Sequence, residues 1–251
     1  MELDMRDKVV LVTGAGRGIG RRIAERFAAE GANVAALDVA FGDEPEIDGA
    51  ESITVDVSDP DSVAAACARV IGRHGRVDVL INNAGINVEG EIESLDLARW
   101  RRCFSVNVDG VFLMSQAVIP VMKRQKSGRI INAASFAAII PGFRSAAYAA
   151  SKAAVVQFTR VLASELGPWN ITANAYAPGM IPTAMNGFAD LDEQGEQATL
   201  DMLALRRWGS PDDIADLLLF LASDAASYIT GTLVDVSGGK FATQTPGREY
   251  R

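Results

Sequence analysis

Short β-branched runs recur along this chain at intervals that leave room for a helix between them. That alternation limits the fold more than any other feature. KVVLVTG (8–14) and NVAALD (33–38) are apolar for most of their length and end in glycine or a polar residue, as parallel strands buried on both faces do. Between them GRRIAERFAAEG has helical periodicity and stops at Gly31, a good helix terminator. The strand pattern returns in SITVDV (52–57), VDVLINNAG (77–85), GRIINAAS (128–135), NITANAYAPG (170–179) and TGTLVDVSGG (230–239). Ser58 or Asp59 can cap SDPDSVAAACARVIGRHG, with Pro60 at an early helical position, and GSPDDIADLLLFLASD has the same Ser-Pro opening.

The expected fold class is α/β: a Rossmann-type doubly wound parallel sheet of about seven strands with helices on both faces. With no linker or low-complexity stretch, residues 1–251 form one expected domain. The long segment without strand signals, about 180–208, is expected to be a helical substrate lid.

Composition removes several function classes. Lys and Arg number 24 against 32 Asp and Glu, a net charge of −8, which argues against nucleic-acid or anionic-membrane partners. The single histidine, His74, excludes a multi-histidine metal site, and no G-x-S-x-G elbow supports a hydrolase. Flanked by glycines in GRHGRVD, it reads as a solvated loop residue. Cys67 and Cys103 are far apart and in no metal-type spacing, so no metal and a reduced, cytoplasmic setting are expected. MELDMRDK is acidic and leads into a strand rather than forming a signal peptide, and no apolar run approaches a membrane span.

Two stretches carry chemistry. In TGAGRGIG, glycines 14, 16, 18 and 20 fall where the first strand must turn sharply and let backbone approach a phosphate. Asp38 ends the second strand 24 residues after Gly14, where a carboxylate accepts both adenosine ribose hydroxyls and repels a 2′-phosphate. Arg17 cuts the other way, as a cation that could pair with such a phosphate. Asp38 acts at the phosphate's own position, so NAD is expected over NADP. In AAYAASKAAV (146–155), Tyr148 and Lys152 stand four apart on one helix face.

TGAGRGIG, NNAG (82–85), Ser135, Tyr148-x-x-x-Lys152 and PG (178–179), in this order over nearly the whole length, resemble the single-domain short-chain dehydrogenase/reductase family. The resemblance implies that Tyr148 is the general acid/base and that Ser135 hydrogen-bonds the substrate oxygen. It implies that Lys152, with the positive nicotinamide, lowers the phenol's pKa from about 10. Asn107, in SVNVDG, is implied to hold a water linking Lys152 to solvent. Cofactor contacts carried over are Gly14, Arg17, Gly18, Ile19 and Gly20 in the turn, and Asp38 at the ribose. Asp56 and Val57 would lie at the adenine, and Asn83, Ala84 and Gly85 along the ribose. Tyr148, Lys152, Pro178, Gly179, Ile181 and Thr183 would lie at the nicotinamide. Two residues depart from the family pattern: Tyr176 stands where a small aliphatic is usual, and Ser237 replaces an acidic or small residue. A homotetramer is implied, with Cys103 and LLLFLA (217–222) expected at partner contacts.

The expected activity is hydride transfer between NAD and a secondary alcohol or ketone, a sugar or polyol being the candidate. Asn87, Ala137, Ile139, Phe143, Arg144, Met185, Phe188 and Met202 are the expected pocket residues. The alternative is an NADPH-dependent 3-oxoacyl thioester (acyl-carrier-protein) reductase, which Asp38 and the lack of a basic residue in GPWNIT oppose. A non-catalytic dinucleotide sensor would need a broken site. A sugar-nucleotide epimerase or dehydratase would need a longer C-terminal region.

Overall fold

A computed structural model describes residues 3–43, 45–183, 188, 191–240 and 242. Among them seven parallel strands form one sheet: β1 (Val9–Thr13), β2 (Asn33–Asp38), β3 (Ala50–Thr54), β4 (Val79–Asn82), β5 (Gly128–Ala133), β6 (Ile171–Pro178) and β7 (Leu233–Val236). Their order is β3-β2-β1-β4-β5-β6-β7. The chain winds outward from β1 to β3, returns beside β1 at β4, and winds the other way. The reversal opens a crevice at the carboxyl ends of β1 and β4, the place where open α/β sheets take ligands.

Alternate residues of each strand face opposite sides, and the two cores divide that way. On one side Val10 and Val12 pack with Ile23 and Phe27 of α1 (Gly18–Ala29) and Leu218 of α7 (Pro211–Ala222). On the other, Val9 and Leu11 meet Val70 of α2 (Pro60–His74), Met114 of α4 (Gly110–Gln125) and Leu162 of α5 (Ala146–Leu166). Each such side chain contributes about 1.5–3 kcal/mol through burial. α3 (Leu97–Phe104) and α4 are joined by a π-helical turn, Ser105–Asp109.

Most helix starts follow sequence signals. Asp59, rather than Ser58, caps α2 through the Asp61 N–H with Pro60 in the first turn, and Ser210 and Asp213 form a reciprocal capping box on α7. His74 is not a loop residue: it closes α2, and the left-handed Gly75 caps it. Cys103 is fully buried, and Leu218, Leu219 and Leu221 pack into the core against α1. Those side chains are taken up by the chain's own core, whereas Leu217 and Phe220 of the same run are half-buried. α3, the π-helical turn and α4 make one 29-residue helix whose 18-residue window reaches a mean hydropathy of 1.4, long and apolar enough to cross a membrane. Its apolar side is spent on the sheet, with Val111, Met114, Val118 and Met122 buried. In the segment 180–208, α6 (Glu193–Leu200) is helical, while residues 184–187, with Met185, and 189–190 lie outside the described residues.

Candidate active site

The turn after β1 is shaped by what its glycines permit. Gly14 has φ +67°, and a Cβ there would lie 2.8 Å from the Ala84 Cα. A Cβ on Gly20 would overlap the Gly14 carbonyl, and one on Gly16 would overlap the Ala40 carbonyl and stand 3.0 Å from the Asp38 carboxyl. The turn therefore closes directly onto β2 and onto the NNAG segment after β4. Asp38 Oδ2 accepts from the Gly16 N–H at 2.8 Å, which aims the carboxylate into the crevice mouth beside the turn. Arg17 is exposed, and its side chain makes no hydrogen bond or ion pair among the described residues.

The start of α1 carries no side-chain cap, a feature it shares with α5, which opens on Ser145. α2, α3, α6 and α7 open on a side chain that caps a first-turn N–H, whereas Arg17 supplies none to α1. The first-turn donors of α1 and the positive end of its dipole are thus left without a side-chain cap, the Asp38 carboxylate being bonded to Gly16 just ahead of the helix. A pyrophosphate at this turn and a ribose diol at Asp38 fit what is present.

Across the crevice, Tyr148, Lys152, Ser135 and Asn107 converge. The first two lie on α5, Ser135 follows β5, and Asn107 lies in the π-helical turn. The Ser135 hydroxyl stands near enough to the Tyr148 phenol to favour its ionised form, but loss of solvation outweighs it and pushes the phenol's pKa up. Lys152 is buried, and desolvation lowers its pKa to about 8. Its Nζ donates to the Ala133 carbonyl at 2.7 Å and lies 5.8 Å from the Tyr148 ring centroid. In the chain by itself loss of solvation is the largest influence on the phenol, while the cation stays committed to a strand-end carbonyl.

Asn107 is fully buried. Its Oδ1 accepts from the Ile86 N–H at 2.8 Å, and its Nδ2 donates to the Ile86 carbonyl and the Ser151 hydroxyl, each at 3.0 Å. A Cβ on Gly85 would stand 3.2 Å from Lys152 Nζ and 3.3 Å from Asn107 Oδ1, so both groups crowd one glycine.

Comparison with known proteins agrees with this geometry. A family model described as "Enoyl-(Acyl carrier protein) reductase" matches residues 14–240. A 3-oxoacyl-[acyl-carrier-protein] reductase of Thermotoga maritima is 38% identical over 92% of this chain and 97% of its own length. The chain is a short-chain dehydrogenase/reductase. It is accordingly an oxidoreductase of hydroxyl and keto groups that uses a nicotinamide dinucleotide. Among other members of the family, a (2S)-[(R)-hydroxy(phenyl)methyl]succinyl-CoA dehydrogenase subunit of Thauera aromatica is 38% identical over 95% of this chain and 98% of that one. The ligand-free aldohexose dehydrogenase of Thermoplasma acidophilum superposes with a TM-score of 0.88 at 36% identity, covering 95% of this chain and 96% of that chain.

The remaining predicted residues divide between those at the crevice and those turned elsewhere. Asp56 is held by Ser58: its Oδ1 accepts the Ser58 hydroxyl at 2.6 Å and the Ser58 N–H at 2.9 Å, which lowers its pKa. Val57 is buried beside it. Ala84 N–H donates to Thr13 Oγ1 at 3.0 Å, and Thr183 lies 3.9 Å from where a Cβ on Gly18 would stand. Ile19, on the first turn of α1, is half-buried, while Ile181 is in the core. Pro178 ends β6, and Gly179 packs so closely on Ser237 that a Cβ would stand 2.7 Å from that side chain.

On the substrate side, the Ala137 N–H donates to Ser135 Oγ at 3.1 Å, and Ile139 and Phe143 are exposed. Asn87 turns its amide to Glu89 at 2.9 Å, Phe188 stacks on Trp208, and Arg144 is exposed with φ +64°. Met202 is half-buried. Thr13, Ser151 and Trp208 acquire roles that the bare sequence does not single out. Ser151 sits between Tyr148 and Lys152 in the chain, which was the available signal.

Proposed function

We propose that this short-chain dehydrogenase/reductase is an NAD-linked dehydrogenase of small secondary alcohols, a sugar or polyol being the substrate class. The observation that carries the cofactor preference is the Asp38 carboxylate, fixed at 2.8 Å from the Gly16 N–H at the crevice mouth. A carboxylate there accepts hydroxyls and repels a 2′-phosphate. The TM-score of 0.88 to an aldohexose dehydrogenase supports a sugar-like substrate.

In this reading, bound NAD supplies the hydride acceptor. Tyr148 Oη takes the hydroxyl proton in oxidation and returns it in reduction. Ser135 Oγ, at the end of β5 near the phenol, holds the substrate oxygen beside it. Lys152 supplies positive charge from beneath, anchored on Ala133 O. Asn107 holds the loop around Ile86 and, with Lys152, frames the approach to Gly85. The dinucleotide contacts belong to the proposal as well: the glycine turn with Arg17 and Ile19, Asp56 and Val57, the 83–85 segment, and 178–183. Homotetramer assembly in the cytoplasm follows from the resemblance and is supported by apolar surface at Phe112 and Val161 on α4 and α5. Light scattering showing a monomer would contradict it.

The second reading, reduction of a 3-oxoacyl thioester with NADPH, is favoured by the name of the 38%-identical Thermotoga relative. Rates with both cofactors and both substrate classes separate the two.

A further inference from the structure

Tyr176 lies on β6, one strand in from the sheet edge, with its whole side chain in the core. Nothing in strand formation calls for a phenol there: its neighbours Ala175 and Ala177 are also buried and carry only methyl groups. A tyrosine in such a place needs a partner for its hydroxyl. The partner is Asn83 Oδ1, 3.1 Å away.

Asn83 stands at the centre of the glycine turn. Its Nδ2 donates to the carbonyls of Thr13 at 3.1 Å and Gly14 at 3.2 Å, and its N–H donates to Thr13 Oγ1 at 3.0 Å. Two carbonyls on one side require the amide NH2 there, which turns the amide oxygen toward β6. Tyr176 is the side chain that donates to that oxygen. A Cβ on Gly14 would stand 3.0 Å from Asn83 Nδ2, and one on Gly20 would overlap it. The amide is therefore the wedge against which the turn closes. The Tyr176 backbone meanwhile accepts the Ala134 N–H at 2.9 Å, next to Ser135.

We propose that Tyr176 is a positioning residue for the dinucleotide: its hydroxyl locks the Asn83 amide, and the amide sets the shape of the phosphate-facing turn. Without the hydroxyl, the partly buried Asn83 oxygen loses its donor, and the amide is held on one side only, by its donation to the Thr13 and Gly14 carbonyls. An amide free to tilt would loosen its hold on those carbonyls and relax the turn. The inference rests on the turn being the dinucleotide site. It adds a residue three strands away from that turn that acts only through Asn83.

Tyr176→Phe removes one oxygen and keeps the ring, so the core stays filled. NADH binding to the purified full chain, followed by fluorescence well below the melting temperature, is the test, with near-ultraviolet circular dichroism to verify folding. The expected result is a dissociation constant about tenfold weaker, the size expected for one unsatisfied buried acceptor. The loss should fall on KM for the dinucleotide more than on kcat. In an Asn83→Ala background, Tyr176→Phe should weaken binding no further. Unchanged binding in Tyr176→Phe overturns the proposal. So does an equal loss in both backgrounds, because the hydroxyl would then act without Asn83. Wild-type protein that binds no NADH overturns the turn as dinucleotide site, a result distinct from either.

Discussion

The Lys152 ammonium donates to the Ala133 carbonyl at 2.7 Å, two residues ahead of Ser135 on the same strand end. The cation is thus fixed to the backbone segment that carries the hydroxyl facing Tyr148. Helix α5 brings Tyr148 and Lys152 to one side, β5 brings Ala133 and Ser135, and this bond registers one element against the other. It also means that the lysine enters the site as a buried group, with its charge opposed by desolvation.

That burial gives a pH dependence of stability. The lysine titrates near 10.5 when unfolded and at about 8 in the fold. Between those values the unfolded chain binds more protons, so stability rises with pH across the window, is complete above it and is lost as pH falls toward 8. Relative to Lys152→Met, the wild type should gain about 3 kcal/mol from pH 8 to 10.5. Urea unfolding of both proteins across this range measures it. A constant difference between them would contradict the buried placement.

Tyr148 offers a second titration. Burial raises its pKa in the ligand-free chain despite the nearby Ser135 hydroxyl. The ultraviolet difference between wild type and Tyr148→Phe should show the phenol ionising above the ordinary value of about 10. A step near neutrality in ligand-free protein would refute this. Adding NAD should move the step downward if the dinucleotide brings positive charge beside the ring.

The same Tyr148→Phe variant tests the chemistry. Removing the proton carrier should lower kcat by about 10²–10⁴ while NADH binding persists. Turnover at the wild-type rate would assign proton transfer to another group.

Much of this was legible in the sequence because it depends on local spacing. Tyr148 and Lys152 share a face through the helical repeat, and Asp38 reaches the crevice because it ends β2 beside β1. Contacts that cross large sequence distances were not legible. Tyr176 and Asn83 are 93 residues apart and meet only because β4 and β6 flank β5 in the sheet. The π-helical turn at Asn107 was hidden too, since its residues fit an ordinary helix. Hydrophobicity alone also did not say which residues of the apolar run 217–222 face the sheet: Leu218, Leu219 and Leu221 do, while Leu217 and Phe220 are half-buried.

Asp38 has two functions in this account, accepting the Gly16 N–H and discriminating between cofactors. Asp38→Ala should therefore lower kcat/KM for NAD by about tenfold and shift the NADP-to-NAD ratio of kcat/KM upward by at least that factor. Steady-state rates with each cofactor read both effects. An unchanged ratio would remove Asp38 from the discrimination.

The central claim is tested most directly by initial rates of the wild-type enzyme. The panel holds sugars, polyols and simple secondary alcohols with NAD and NADP in parallel, plus a 3-oxoacyl thioester with NADH and NADPH. The account predicts turnover of a sugar, polyol or simple secondary alcohol with NAD, at several times the rate seen with NADP. NADPH-driven reduction of the thioester, with no oxidation of any alcohol by NAD, would contradict it.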